Sequence, residues 1–219
     1  MKFRAVVGRF CAILVTVIAV TLAPCGVGVA IADDGSDAQT FVEKQRTQIE
    51  SALKAHATSA QVYNLLEKFV DYDELVRRSF GHPCPTAVPG CTDHWSQLSD
   101  AEKTEIASLL KQLVQKNYRK SLNKTLDYEV TYKDVRVGSL GDIRVRTEAK
   151  SKTKPRDPSV QVDYMVRCAG GSCKVTDMVT EGSFLTKNYY DQFHKAFMTP
   201  DQLYPYIREK LQKKIAKPD

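Results

Sequence analysis

Four runs of alternating apolar and polar residues follow one another between residues 126 and 180, and they constrain the fold more than any other feature of the chain. A period of two is typical of strands that bury one face. Glycines and prolines separate the runs, which favours short connections between strands that are neighbours in sequence. The pattern therefore predicts a four-stranded antiparallel meander.

The apolar positions of each run are expected to share one face of this sheet. From the first strand to the fourth they are Leu126, Tyr128, Val130 and Tyr132; Ile143, Val145 and Thr147; Val160, Val162, Tyr164, Val166 and Cys168; and Cys173, Val175, Asp177 and Val179. Asp177 points toward the apolar side unless a bulge shifts the register of the last strand.

Helical periodicity occupies the chain on both sides of the strands. We expect helices over about 38–53, 62–69, 71–80, 99–122, 184–197 and 200–214. Ser99 with Glu102 forms a capping box at the start of the longest helix, and Asp71 with Glu74 resembles a second one. Helices before and after an antiparallel meander predict an α+β domain with helices packed on one face of the sheet.

The amino-terminal segment has the composition of a secretory signal. Three cations, Lys2, Arg4 and Arg9, precede an apolar run, and Ala30-Ile31-Ala32 offers small residues at a cleavage site. The run is shorter than the ~20 residues of a membrane span. We expect residues 1–32 to be removed and residues 36–216 to form a single exported domain.

The charge balance argues against a nucleic-acid partner. The formal charge of +6 falls to +3 when the three cations of the signal leave, whereas a nucleic-acid-binding surface is more basic and more clustered. The chain also lacks the motifs of a nucleophile elbow, a P-loop, a dinucleotide site or a haem site. These patterns give no reason to expect a cofactor.

Four cysteines remain after the signal, at Cys84, Cys91, Cys168 and Cys173. An even number in an exported chain favours disulfides, and three pairings are possible. Cys168 and Cys173 lie on the legs of an apparent hairpin, so they form the local pair and leave Cys84 with Cys91. The alternative is a metal site in which His82 and His94 join Cys84 and Cys91 as tetrahedral ligands; we favour the disulfides and expect no metal.

The segment from Lys174 to Phe193 joins the fourth strand to the next helix through a Glu181-Gly182-Ser183 corner. It is similar to the signature of the MlaC family, also called the toluene-tolerance family, of exported phospholipid-binding proteins. The matching residues are Lys174, Val175, Asp177, Glu181, Gly182, Ser183, Leu185, Asn188, Tyr189, Gln192 and Phe193.

The resemblance implies a periplasmic lipid carrier that is not an enzyme. Such a carrier would shuttle glycerophospholipid between an outer-membrane lipoprotein complex and an inner-membrane ABC transporter, and so maintain the lipid asymmetry of the outer membrane. Its lipid cavity would lie between the sheet and the helices. The residues expected to line it are Val130, Tyr132, Val145, Val162, Tyr164, Val175, Val179, Phe184, Tyr189 and Phe193.

The corner residues have predicted structural roles. Asp177 would accept backbone hydrogen bonds near the corner, Gly182 would supply permissive dihedral angles, and Ser183 would cap the helix that follows. Two alternatives stay open. The first is a cone-shaped isomerase or hydratase that uses Asp177 with His194 or a tyrosine, and the second is an exported interaction module with a filled core.

Overall fold

The computed structural model describes residues 31–84, 90–198 and 204–218. They form six α-helices and one antiparallel sheet with the strand order β1-β2-β3-β4-β5. In chain order the elements are α1 (Ile31–Lys54), α2 (Ser59–Phe69), α3 (Tyr72–Ser79), α4 (Asp100–Thr125), β1 (Tyr128–Val137), β2 (Ile143–Ser151), β3 (Val160–Ala169), β4 (Ser172–Thr180), β5 (Ser183–Phe184), α5 (Leu185–Phe197) and α6 (Tyr204–Ala216).

The α+β class and the antiparallel meander are confirmed, but the prediction of four strands was wrong. A fifth strand of two residues pairs with the end of β4, where Thr180 stands opposite Ser183. The turn between them is Glu181-Gly182, with φ angles of 49° and 77°. Positive φ at both turn residues is typical of the type I′ hairpin, whose twist matches that of its strands.

Helix α4 begins where the sequence predicts. The Ser99 side chain accepts a hydrogen bond from the Glu102 backbone N–H, and the Glu102 carboxylate accepts one from the Ser99 backbone N–H. The second predicted capping box is only half formed. Asp71 caps α3 by accepting from the backbone N–H of Glu74, but the Glu74 side chain pairs with Arg77 and Arg78 instead.

One face of the sheet packs against helices. Val145, Tyr164, Val166 and Val175 belong to a buried apolar cluster with residues of all six helices. The other face carries ion pairs between neighbouring strands. They are Lys133–Glu148, Arg146–Asp134 and Arg144–Asp163. This face is also partly covered, because Asp163 and Val179 are buried there, but the large apolar cluster lies on the helical side.

A buried ionic cluster fixes α3 against the strands. Arg78 pairs with Glu74 on its own helix and with Asp142 at the start of β2. Arg167 of β3 pairs with the same two carboxylates, and the Thr176 hydroxyl of β4 donates to Asp142. Buried charges are tolerated when each has hydrogen-bonded partners of opposite sign. The cluster therefore ties α3 to three elements of the sheet.

Two predicted features fall partly or wholly outside the described residues. The leader covers residues 1–32, so only its last two positions are described, within α1, and its cleavage stays a prediction. The connection around Thr199-Pro200 also lies outside them. None of the helices within the described ranges has both the length and the apolar composition needed to cross a membrane.

Candidate functional site

A cavity of about 440 Å³ lies between α4 and the helical face of strands β1 to β4. Its wall is mostly aliphatic and aromatic, with hydroxyl groups and two cations. The lining residues are Arg46, Val114, Asn117, Tyr118, Ser121, Leu122, Lys124, Thr125, Tyr128, Val130, Thr147, Ala149, Val160, Val162, Tyr164, Met178, Thr180, Leu185 and Tyr189. The volume is within the ~300–1,000 Å³ of typical small-molecule sites.

The cavity wall on α4 combines small and large side chains. Asn117, Ser121 and Thr125 line it together with Val114, Tyr118 and Leu122, while Thr147 and Ala149 line it from β2. Helix α4 packs mainly against α3 and α6. Its packing therefore leaves space between the helix and the strands.

The cavity reaches solvent at the carboxyl end of α4. Lys124 and Thr125 are exposed lining residues at that end, and Thr180 is an exposed lining residue at the end of β4. Tyr164 lies inside and is only 7 % exposed. An apolar interior with a polar opening has the distribution of polarity that a bound amphiphile requires.

One charged side chain lies where the cavity meets an open groove between α1 and β1, which we call the outer groove. Arg46 of α1 lines both, and its guanidinium pairs with Glu50 one turn further along the helix. Burial lowers the pKa of Arg46, but the phenol oxygens of Tyr164 and Tyr132 and the Glu50 carboxylate raise it by more. The side chain therefore stays charged.

Tyrosine hydroxyls supply most of the remaining polarity around Arg46. Burial raises the pKa of Tyr118 to about 12 and raises that of Tyr164 well above its ordinary value. Burial also raises the pKa of Tyr132, although a hydrogen bond and the charge of Arg46 act in the opposite direction. These phenols are neutral near pH 7, and the Tyr118 hydroxyl donates to Met178 Sδ at 3.9 Å.

The structure places four of the ten predicted lining residues on the cavity wall: Val130, Val162, Tyr164 and Tyr189. Tyr132 lines only the outer groove. Val145, Val175 and Phe193 are buried in the core cluster, and Phe184 lies under the Arg144 guanidinium at 6.0 Å. None of these five residues is on the wall of this cavity.

Val179 was predicted on the wrong face because β4 contains a bulge. Val175 stands opposite Val166, but the next pair is Asp177 with Met165, so Thr176 is an extra residue. The bulge reverses the parity of every residue after it. As a result Met178 and Thr180 line the cavity, while Val179 stands opposite Asp163 on the other face.

Asp177 fixes the start of α5. Its Oδ1 accepts from the backbone N–H groups of Met178 at 2.8 Å and Thr186 at 3.1 Å, and its Oδ2 accepts from the Thr186 hydroxyl. Burial raises the pKa of Asp177, and these hydrogen bonds oppose the shift. Ser183 does not cap α5 as predicted, because it belongs to β5 and the capping position is Phe184.

His194, the histidine named for acid–base chemistry with Asp177, is engaged elsewhere. His194 Nδ1 lies 2.8 Å from His94 Nε2 and 3.2 Å from the Tyr190 hydroxyl. Asp177 has neither histidine among its hydrogen-bond partners, and it does not line the cavity. The arrangement therefore gives no support to a paired acid and base around Asp177.

Both favoured disulfides are present. Cys84 is bonded to Cys91, and Cys168 is bonded to Cys173 across the β3–β4 hairpin. His82 Nδ1 contacts Asp93 at 2.9 Å instead of serving as a ligand beside the cysteines. Across the described ranges, no cluster of three or more histidine, cysteine, aspartate or glutamate residues has a geometry that could hold a metal ion.

The fold and the cavity together define an α+β protein with an apolar hollow between its sheet and a long helix. The profile of the MlaC protein family matches residues 37–203. The chain therefore belongs to the MlaC family, which confirms the resemblance seen in the Lys174–Phe193 segment. No curated protein sequence matches this chain.

A solved structure has a similar fold. It is the phospholipid-binding protein from Ralstonia solanacearum in complex with a phospholipid, with a TM-score of 0.64 and 20% sequence identity. The similarity covers 82% of this chain and 97% of that protein. At this identity the likeness shows a shared fold.

Proposed function

We propose that this protein is a carrier that holds a phospholipid with its acyl chains in the cavity between α4 and the sheet. Three observations support the proposal: membership of the MlaC family, the phospholipid bound by the Ralstonia protein of similar fold, and an apolar cavity that opens to solvent beside a cationic side chain. The cavity is the observation that carries it.

The energetics explain why such a hollow is useful. Each methylene that enters water costs ~0.8 kcal/mol, so about 30 methylenes of a diacyl lipid cost ~25 kcal/mol. An apolar cavity provides a second environment in which these groups avoid water. The headgroup can stay at the opening, where its hydration is kept. Transfer between a membrane and the carrier is then close to balanced.

The volume indicates how much lipid the observed conformation can hold. A cavity of about 440 Å³ lies within the ~300–1,000 Å³ of sites that enclose most of a small ligand. It is therefore large enough to shelter acyl-chain carbons from water.

The lining is better suited to binding than to catalysis. Among the described residues that line the cavity, none is an aspartate, glutamate, histidine or cysteine. Ser121, Lys124 and the tyrosines on the wall belong to residue types that can catalyse reactions, but no carboxylate or imidazole lies among the described lining residues to activate them. We therefore propose that the protein is not an enzyme and uses no cofactor.

We further propose that residues 36–216 act as one exported domain in the periplasm. There the domain would carry glycerophospholipid between an outer-membrane lipoprotein complex and an inner-membrane ABC transporter, with nucleic acid excluded as a partner. These assignments follow from the family and from the leader-like segment at residues 1–32. A vesicle assay with labelled phospholipid tests the carrier step alone: transfer should rise in proportion to protein concentration.

Lipid content tests the cavity directly. We expect gently purified protein to yield phospholipid on solvent extraction and mass spectrometry. Ala149 lines the cavity, so Ala149→Phe should fill it and leave the protein empty but folded. Ala169→Phe is the matched control because Ala169 is exposed at the end of β3. Wild-type protein without lipid, or Ala149→Phe with normal lipid content, would contradict the proposal.

A further inference from the structure

The charges on the cavity wall have one sign. Arg46 and Lys124 are the charged side chains among the described lining residues of the cavity, and no carboxylate lies among them. The nearest carboxylates belong to the outer groove, which Glu43, Glu50 and Glu129 line together with Lys152. A low-dielectric cavity with cations at its edge favours an anionic group at that position. The phosphodiester of a phospholipid is such a group.

Arg46 is better placed than Lys124 to bind it. The Arg46 side chain is 15% exposed and shares a hydrogen bond with the Tyr132 hydroxyl, whereas Lys124 is exposed at the end of α4. A guanidinium presents five N–H donors in a planar fork that matches two oxygens of a phosphate. A guanidinium that is already held in place loses less conformational entropy on binding than a mobile ammonium does.

The position of Arg46 would also separate the acyl chains of a bound lipid from its headgroup. Arg46, Tyr128 and Val130 line both the cavity and the outer groove, so they mark the border between the two. Tyr132 lies on the groove side of this border. A phosphate at Arg46 would have acyl chains on one side of it, in the cavity, and the rest of the headgroup on the other side, in the outer groove.

We propose that Arg46, together with the Tyr132 hydroxyl, forms a phosphodiester-binding subsite at the border between the cavity and the outer groove. This inference rests on the proposed lipid carriage. The preferred ligand is then a lipid that contains a phosphodiester. Uncharged diacylglycerols of the same chain length should bind more weakly.

Glu50 acts as an internal competitor in this subsite. Its carboxylate occupies part of the Arg46 donor fork, and an incoming phosphate must share or displace it. Since the Glu50 side chain is 30% exposed, it can turn toward water when lipid binds. The exchange of one anion for another limits the affinity for phospholipid and so favours its release.

The experiment compares three ligands with identical oleoyl chains, which are phosphatidylglycerol, phosphatidylethanolamine and dioleoylglycerol. Delipidated protein is loaded with each, and the bound fraction is measured by native mass spectrometry. Arg46→Gln should weaken retention of both phospholipids about tenfold, equivalent to about 1.4 kcal/mol. Its retention of dioleoylglycerol should stay within about twofold of the wild-type value. Arg119→Gln removes the same charge from an exposed position on α4 and should change nothing.

A second variant gives an effect of opposite sign, which a folding defect cannot mimic. Glu50→Gln should strengthen retention of both phospholipids by about threefold or more, because the competing anion is gone. Asp37→Asn removes one negative charge from an exposed position on the same helix and is its control. It should match the wild type.

The outcomes separate this inference from the proposed function. Wild-type protein that retains none of the three ligands would refute lipid carriage itself. Wild-type protein that retains phospholipid would uphold carriage, and the subsite is then refuted if Arg46→Gln leaves all three ligands unchanged or weakens all three equally. If Glu50→Gln retains phospholipid no more strongly than Asp37→Asn does, competition by Glu50 is refuted.

Discussion

The two ends of one sheet face differ in how the helices cover them. At one end Val145, Val166 and Val175 belong to the buried cluster that also contains Phe80 and Phe193, whose rings stack at 4.6 Å. We call this the packed half. At the other end the cavity separates the strands from α4, and we call this the hollow half. The same β-branched strand residues occur in both.

The difference lies in what the helices contribute. The packed half contains large rings from α5 and from the end of α3, whereas α4 borders the hollow half with Asn117, Ser121 and Thr125 beside Val114, Tyr118 and Leu122. Interiors are otherwise packed as densely as organic crystals. The cavity therefore depends on how the helices cover the sheet, and the strand residues alone do not reveal it.

The largest effect is expected from the centre of the packed half. Phe80 is fully buried and contacts the rings of Phe193 and Trp95. Phe80→Ala should lower the free energy of unfolding by about 3–5 kcal/mol, because it removes apolar burial and leaves a void. Urea denaturation measures the change. A loss below about 1 kcal/mol would show that this half is not tightly packed.

A matched pair of substitutions on β3 compares the halves directly. Val166 is fully buried in the packed half, and Val162 faces the cavity on the same strand face. Val166→Ala should cost about 2–3 kcal/mol of unfolding free energy, while Val162→Ala should cost less than about 1 kcal/mol because it already borders empty space. Equal losses of unfolding free energy for the two variants would show that the two halves are packed alike.

The smallest expected effect is a pH dependence in the packed half. Burial lowers the pKa of His94, the charge of His194 lowers it further, and Asp93 opposes both. The folded protein therefore binds a proton at His94 less readily than the unfolded chain does. Stability from this group is complete above the ordinary histidine pKa of about 6.5 and is lost as the pH falls below it.

Denaturation at about pH 7.5 and about pH 5.5 tests this sign. The urea midpoint should be lower at the acidic pH, and His94→Gln should reduce the difference. His94 stacks on Phe197 at 4.4 Å, so the variant also loses packing, and the comparison is between its own two pH values. His56→Asn, at an exposed position, should keep the wild-type pH dependence.

Much of the fold could be predicted because its signals are local. The period of two gave the meander, the Ser99 and Glu102 pair marked the start of α4, and the hairpin position of Cys168 and Cys173 indicated their bond. The Lys174–Phe193 signature indicated the family. The two-residue strand β5 was missed because Ser183 was assigned to a helix cap and because Glu181, unlike Asn or Asp, does not signal a hairpin turn before Gly182.

The candidate site was harder to predict because it depends on tertiary contacts. The bulge in β4 follows from Thr176, whose hydroxyl donates to Asp142 and to the Met165 carbonyl, and strand alternation alone gives no sign of these partners. Arg46 was overlooked because a cation on an amphipathic helix ordinarily faces water. The cavity wall formed by α4 depends on where α3 and α6 hold that helix.

The most direct test locates the acyl chain. A crystal structure of the protein loaded with a phospholipid that carries brominated acyl chains shows bromine by its anomalous scattering. We predict bromine in the hollow half, between α4 and the strand residues Val130, Ala149 and Val162. Bromine elsewhere on the protein, or a lipid-loaded protein in which side chains have closed this space, would contradict the proposal that the cavity holds the acyl chains.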